Sequence, residues 1–451
     1  MRSIRFVGVA IAGAIVAAAC GGTSGGVTAT AAAAATASGA VISSDPFVLL
    51  STQFNTVTER EAIQKQILDP FTKAKVEYIG SDSGPFNDRI LAEAKTGKGQ
   101  VGAILGLHGD FGNLVGAGKD YFEDLTPLAN RLKDRGIPAE MLELGKLGTG
   151  KQVYIPSMQA TYILGVNKQA LQYLPSGVSV DDMTYTQLRD WCKNIADKTG
   201  KKRCAIPAGP NGLYHRIIQG YLYPAYTGGL VTTYKSADAA KMWGDVKDLW
   251  QYMNPQSLQI DFMQDSLLSG EVWVGLDHVA RLVNAFKEKP NDYQAAPAPK
   301  GPKGLYYMSV LAGFAIPKSS PNKTGAEALI DYMVTAETQA KVLTTVAFFP
   351  VLDKAMPADL PQYLKIEADG VQKQSKSKDG KVALLPVGLG AKGGDFNNVQ
   401  KNTFQRIVVK GEDITKVLNE EGANLQKVMD DSKAPCWRPD PDSGTAPCQV
   451  K

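Results

Sequence analysis

Phe47–Thr52 reads FVLLST, Thr58–Asp69 TEREAIQKQILD, Val76–Ile79 VEYI, Phe86–Lys95 FNDRILAEAK and Val101–Leu107 VGAILGL. The first, third and fifth pieces are short and apolar, which predicts strands. The second opens with Thr58-Glu59-Arg60-Glu61, a capping-box pattern, and continues with Ile63, Ile67 and Phe71 at four-residue spacing. Pro70 stops that helix near Asp69, because the residue before a proline is pushed out of the helical region. The fourth piece predicts a second helix. Strand, helix, strand, helix, strand in this order predicts a parallel sheet covered by helices, and an α/β class.

Helical signals continue outward from this stretch. Thr184 to Gln187 is a second capping-box pattern, with Leu188, Trp191 and Ile195 on one face and Gly200 as the stop; Trp191 is assigned to the core. Thr324 to Glu327 repeats the pattern before Ala326, Leu329, Ile330, Met333 and Val334, an apolar stripe at helical spacing.

Toward the amino end, Arg2 and Arg5 precede an apolar run from Phe6 to Ala19, the make-up of a signal peptide over residues 1–19. That run is shorter than the roughly 20 residues a membrane span needs. It ends Ala17-Ala18-Ala19-Cys20, which resembles a lipobox and makes Cys20 the expected lipidation site. Residues 20–45 are mostly Gly, Ala, Thr and Ser, a composition suited to a flexible tether. The chain has five cysteines. With Cys20 set aside, Cys192 and Cys204 form one local pair and Cys436 and Cys448 another, and an oxidising exterior permits both bridges.

Charge is nearly balanced, with 49 Lys+Arg against 45 Asp+Glu and no basic block, so nucleic acid is not an expected partner. About 430 residues after the signal exceed one hydrophobic core and predict two or three lobes. Enzyme motifs fail on context. Gly22–Gly26 matches GxSxG but lies in the tether. Gly145–Gln152 nearly matches a phosphate loop, yet Gln152 stands where Ser or Thr would hold magnesium. Gly388–Gly393 fits GxGxxG with no strand–helix–strand unit after it. His108, His215 and His278 are scattered, with no zinc-type spacing. No catalytic residue, metal or cofactor is expected.

Five stretches resemble one family, the extracellular solute-binding proteins of ABC sugar importers (maltose-binding-like). Leu114–Gly118 through Phe122–Leu128 is similar to its LAxAGxLxDLTPL run, and Gly150–Pro156 with Tyr162–Lys168 to GKxYGxPxxxxxxxLYYNK. Leu268–Val274 resembles FxxGKAAM, and Ala296–Pro302 resembles APLPxGPxG. Ala312–Ser320, the helix after it and Phe349-Pro350-Val351 resemble the family's closing GGxxLAIxKxSxN...GxxPV segment. Departures include Gly165-Val166, Trp273, His108-Gly109-Asp110 and Phe348-Phe349. The resemblance implies a two-lobed periplasmic-binding-protein-like fold (type II), with hinge crossings near 157–162, 292–297 and 348–351. Lobe one is then residues 46–157 and 296–349, and lobe two 158–295 and 350–430. Residues 431–451 form a disulfide-bearing extension without a family counterpart. It also implies a non-enzymatic monomer that passes a mono- or oligosaccharide to permease subunits from outside the membrane.

In open α/β sheets ligands sit beyond the carboxyl ends of strands. Gln53 and Asn55 follow the first strand, Ser81 and Asp82 the second, and His108 and Asp110 the third. Such polar groups suit hydroxyl-rich ligands, and equally serve as turn and cap residues. From lobe two the candidates are Asn211, Tyr214, Asp277, His278 and Arg281. Tyr162, Trp273, Tyr307 and Phe349 are candidate aromatic platforms for a sugar face. Alternatives are a phosphorylated polyol or an amine held by Arg281 and His108, an exported glycoside hydrolase, and a surface adhesin.

Overall fold

The computed structural model describes residues 41–54, 56–115, 119–352 and 356–451. The signal peptide, Cys20, most of the tether and Asn55 lie outside the described residues. Strand β1 (Phe47–Ser51) runs parallel to β2 (Val76–Gly80) on one side and to β3 (Val101–Leu107) on the other. β1 is buried along its whole length, as expected of a parallel strand covered on both faces. Gly102 in β3 is needed because the Phe47 ring lies where a Cβ would stand, 2.5 Å from its Cγ.

Helix α1 (Val57–Ile63) begins two residues earlier than the Thr58 box predicts. Thr56 is the cap: its hydroxyl accepts the Glu59 N–H, and the Glu59 carboxylate returns a bond to the Thr56 backbone. The helix continues in a wider turn to Leu68, and α2 (Ser83–Thr96) follows β2. The Thr184–Gln187 box is present as read, and Leu188, Trp191 and Ile195 are buried. Trp191 donates to the Ala170 carbonyl from the interior. At the third box the cap is Asn322, which accepts the Gly325 N–H; the stripe from Ala326 to Val334 is buried as predicted.

The first sheet is completed from distant chain. β9 (Leu305–Ala315) lies antiparallel between β3 and β4 (Ile155–Ala160), and β10 (Phe349–Pro350) pairs with the outer side of β4. A second sheet has the order β6 (Cys204–Ala205), β7 (Val274–His278), β5 (Tyr162–Asn167), β8 (Tyr293–Ala296). The two sheets with their helices make the two lobes of a mixed α/β periplasmic-binding-protein-like fold.

A single residue, Thr161, separates β4 in one sheet from β5 in the other, so the first crossing falls where the sequence predicts it. The second does not. β8 pairs with β5, Lys300 exchanges backbone bonds with Met183 and Tyr185, and β9 pairs at its start with β11 (Gly380–Leu384). The crossing near 292–297 therefore moves to the middle of β9, where pairing with β11 gives way to pairing with β4. The apolar Ala-Pro run at 296–299 marks a bend rather than a hinge. Buried Gln374 ties these segments together. Its amide nitrogen donates to Thr161 Oγ1 (3.0 Å) and the Tyr162 carbonyl (3.2 Å), while its oxygen accepts the Ala298 N–H (3.0 Å).

Both disulfides are present, Cys192–Cys204 and Cys436–Cys448. A loop of this length contributes on the order of 3 kcal/mol in the chain-entropy account. Residues 433–451 pack on lobe two. Asp440, buried, receives the backbone N–H groups of Leu230, Val231 and Thr232 at 2.9–3.1 Å. Gly229 is required beside it, since a Cβ there would stand 2.7 Å from an Asp440 oxygen.

Candidate functional site

The carboxyl ends of β1, β2 and β3 gather the lobe-one candidates. Asp110, in the first turn of α3 (His108–Val115), accepts from Thr52 Oγ1 at 2.6 Å and from the Leu107 N–H at 3.0 Å. Gln53 is buried, its amide donating to Thr52 Oγ1. Ser81 is half-buried at the end of β2, and Asp82 stands exposed at the N-cap position of α2 without a side-chain cap bond. His108 is buried with Nδ1 2.9 Å from the Tyr154 hydroxyl; burial lowers its pKa to about 4, so it is a neutral hydrogen-bonding group.

On lobe two, β5 and β7 pair so that Tyr162 is opposite His278 at the end nearest the crossing. Their rings meet edge to face at 5.2 Å. His278 accepts the Ala280 N–H at Nδ1, and burial together with the Arg281 charge lowers its pKa to about 3. Asp277 does not pair with the imidazole. Its carboxylate accepts the backbone N–H groups of His278 (2.7 Å) and Met263 (3.1 Å), the latter opening the Met263–Leu268 helix. Burial raises its pKa to about 7 against the pull of Arg281. The acid/base look of Asp277-His278 in sequence is thus a positioning arrangement.

Two residues that the sequence reading passed over complete the junction. Arg216 is half-buried, and its Nη1 donates to Gln219 Oε1 at 3.1 Å. Burial lowers its pKa, and the charges that act on it are Tyr162 of its own lobe and Asp110 of the other. Phe348 packs edge to face on Phe54 of lobe one (5.2 Å) and lies 6.1 Å from the His278 ring of lobe two. A guanidinium in the run Tyr214-His215-Arg216-Ile217 has no sequence mark that separates it from a surface arginine.

The predicted aromatic platforms are packed otherwise. Tyr162 is buried at the junction, its ring against Tyr221 and His278. Trp273 lies just before β7, at the opposite end from His278, with its ring stacked on Tyr173 and under the Arg203 guanidinium. Phe349 is buried in β10, leaving its neighbour Phe348 to face the junction. Tyr307 is half-buried in the first half of β9. Tyr214 is in the core against Phe404, while Asn211 is exposed and donates to Asp261. Arg281 donates to the Asp261 carbonyl at 2.8 Å.

Another close contact is made on α3. The chain after β11 sets Pro386 and Val387 on α3 where that helix carries Gly109 and Gly112. A Cβ on Gly109 would stand 2.6 Å from the Pro386 carbonyl oxygen, and one on Gly112 would stand 3.4 Å from Val387 Cβ and collide with its Cγ1. An apolar pocket of about 40 Å³ lies elsewhere, beside the second sheet, walled by Leu164, Leu188, Trp250 and Leu276 among others. Its apolar walls have no means of reading a polyol.

No curated protein sequence matches the chain. Solved structures of similar fold include the GacH receptor of Streptomyces glaucescens, described unliganded and with acarbose (18% identity, 86% of this chain and 100% of that one, TM-score 0.66). The sugar-binding protein MalE of Xanthomonas citri is also similar (16% identity, 85% and 97%, TM-score 0.67). So is UgpB of Mycobacterium tuberculosis, described with glycerophosphocholine (18% identity, 86% and 99%, TM-score 0.65). The family model for bacterial extracellular solute-binding proteins matches residues 55–340, more than half of the sequence, and the chain belongs to that family.

Proposed function

We propose that this chain is a lipid-anchored receptor that captures a carbohydrate between its lobes and delivers it to the permease of an ABC importer. One observation carries the reading: Phe348 is in ring contact with Phe54 of lobe one and with His278, itself against Tyr162, of lobe two, and Phe54 adjoins Gln53, which like Asp110 bonds to Thr52. Paired donors and acceptors beside aromatic surfaces suit a ring that is polar at its edge and apolar on its face. Thermal-shift screening against mono- and oligosaccharides tests it. A ligand at 100 times its dissociation constant adds about 2.7 kcal/mol. Arg216→Ala is expected to weaken the best sugar by roughly 5- to 150-fold, the cost of leaving a buried partner unpaired. No shift with any sugar would sink the reading.

A phosphodiester is the second reading, favoured by the partly desolvated Arg216 guanidinium, whose fork matches a phosphate. Glycerophosphocholine in the same screen decides between them. Anchoring is tested separately. Cys20→Ala is expected to move the exported protein from the membrane fraction to the soluble fraction with its affinity unchanged, and continued membrane partitioning would overturn the anchor.

A further inference from the structure

The stretch from Lys433 to Lys451 lies beyond residues 55–340, the part of the chain that the family model matches. It is anchored on the body of the protein. Asp440 takes the amides of Leu230, Val231 and Thr232, and the Trp437 ring packs on Phe396 at 5.4 Å. The stretch is also closed into a loop. Cys436 is bridged to Cys448, whose N–H donates to the Ala434 carbonyl at 2.9 Å. The Cys436 N–H donates to Ser443 Oγ at 2.8 Å.

One arm of this loop, Ala434 to Arg438, brackets the segment at the end of β11. At the start of that segment the Leu384 N–H donates to the Arg438 carbonyl at 3.1 Å. At its end Gly388 backs onto the arm, where a Cβ would stand 3.4 Å from Ala434 Cβ and from Pro435 Cδ. Between the two, Pro386 and Val387 lie on α3 at Gly109 and Gly112. Gly109 is flanked by His108 and Asp110, both buried and bonded to Tyr154 and Thr52 respectively. Contact therefore runs without a break from the bridged loop, through residues 384–388, to the start of α3.

We propose that residues 433–451 form a redox-sensitive strap, which seats residues 384–388 on α3 and so positions His108 and Asp110. The switch is Cys436–Cys448 and not the other bridge. Cys436 is half-buried, whereas Cys192 and Cys204 are both buried. Access decides which disulfide a dithiol opens first. A thiolate of the dithiol bonds to the Cys436 sulfur, the Cys436–Cys448 bond breaks, and Cys448 leaves and takes up a proton. The second thiol then displaces Cys436 and closes the dithiol's own disulfide. Two electrons and two protons have passed to the protein, and the 434–438 arm has lost its cross-link. Asp440 keeps its hold on residues 230–232 in either state, so the change is confined to the arm and to what it bears on.

Hydrogen exchange read by mass spectrometry tests the strap on the full chain, with both bridges closed and after mild treatment with dithiothreitol. Alkylation mapping identifies which bridge has opened. Reduction is expected to speed exchange roughly tenfold or more in peptides covering residues 384–388 and the first turn of α3. Peptides covering residues 185–199 and 229–233 are expected to stay unchanged. With the histidines isotopically labelled, the His108 ring signal is expected to move on reduction and that of His278 to stay. Cys436→Ser combined with Cys448→Ser is expected to match the reduced protein; where that variant does not fold, reduction of the finished protein decides alone. Unchanged exchange in residues 384–388, or an unmoved His108 signal, overturns the strap. So does faster exchange in every peptide alike, which marks a global loss of stability. A dithiol that opens Cys192–Cys204 while sparing Cys436–Cys448 overturns it as well.

Discussion

With Gly112→Cys and Val387→Cys introduced together, a new disulfide forms between the lobes and ligand exchange slows by about 100-fold or more. The expected bridge follows from geometry: the Cβ that Gly112 lacks would stand 3.4 Å from the Cβ of Val387, close to the roughly 3.5–4.5 Å that a disulfide spans. The slow exchange follows from position. Pro386 and Val387 follow β11, which pairs with the crossing strand β9 and falls in lobe two on the proposed division of the chain, whereas Gly112 lies in α3, the helix after β3. Any separation of the lobes wide enough to admit a sugar must part this seat, as hinge closure in two-lobed proteins requires. Stopped-flow binding of the best sugar to the oxidised and reduced double variant is the measurement. Small-angle scattering adds a readout independent of ligand, with the reduced form expected to have the larger radius of gyration. Equal exchange rates and equal radii in the two forms would show that the seat does not govern opening.

The largest expected loss of stability comes from a residue far from the ligand. Asp440→Ala removes the acceptor for three backbone N–H groups, on Leu230, Val231 and Thr232, in a buried position. Each orphaned donor costs about 1–3 kcal/mol, less whatever an entering water recovers. A destabilisation on the order of 3–5 kcal/mol is expected in denaturant titration, and about half of it for Asp440→Asn, which keeps one acceptor oxygen. Sugar affinity should be unchanged at saturating stability, because Asp440 touches the 229–233 loop and not the junction. A loss below about 1 kcal/mol would mean that the loop finds other partners.

The parts of the molecule that rest on local rules were legible in the sequence. The alternation of β1, α1, β2, α2 and β3, the buried stripe at Leu188, Trp191 and Ile195, and both disulfide pairs appear where residue pattern places them. Caps were legible in kind but not in position, because Thr56 and Asn322 compete with nearby Thr58 and Thr324 and only the backbone entry angle decides between them. The second crossing was hidden by β9, a strand shared between two partners, which leaves no break in apolar pattern where it changes neighbour. On the site, the rule that ligands lie beyond strand ends led to Gln53, Ser81 and Asp110 in lobe one. It had less hold in lobe two, where β6 has two residues and the second sheet is mixed. Arg216 and Phe348 owe their place to tertiary packing alone. Conversely, Trp273 looks like a platform in sequence and Tyr214 like a ligand contact, and they pack against Arg203, Tyr173 and Phe404.

The interleaving of the lobes bears on the order in which the chain can become a protein. As synthesis proceeds from the amino end, β3 is finished about 200 residues before β9 arrives to cover its open edge, and β4 waits about 145 residues for the same strand. The 229–233 loop has no acceptor for its amides until Asp440 follows, 210 residues later. Neither lobe can close early, so the nascent chain stays unfinished and threadable while most of it is being made. If the proposed export holds, that delay is a benefit to a chain that is threaded through a channel before it folds, and it comes from the topology of the sheets.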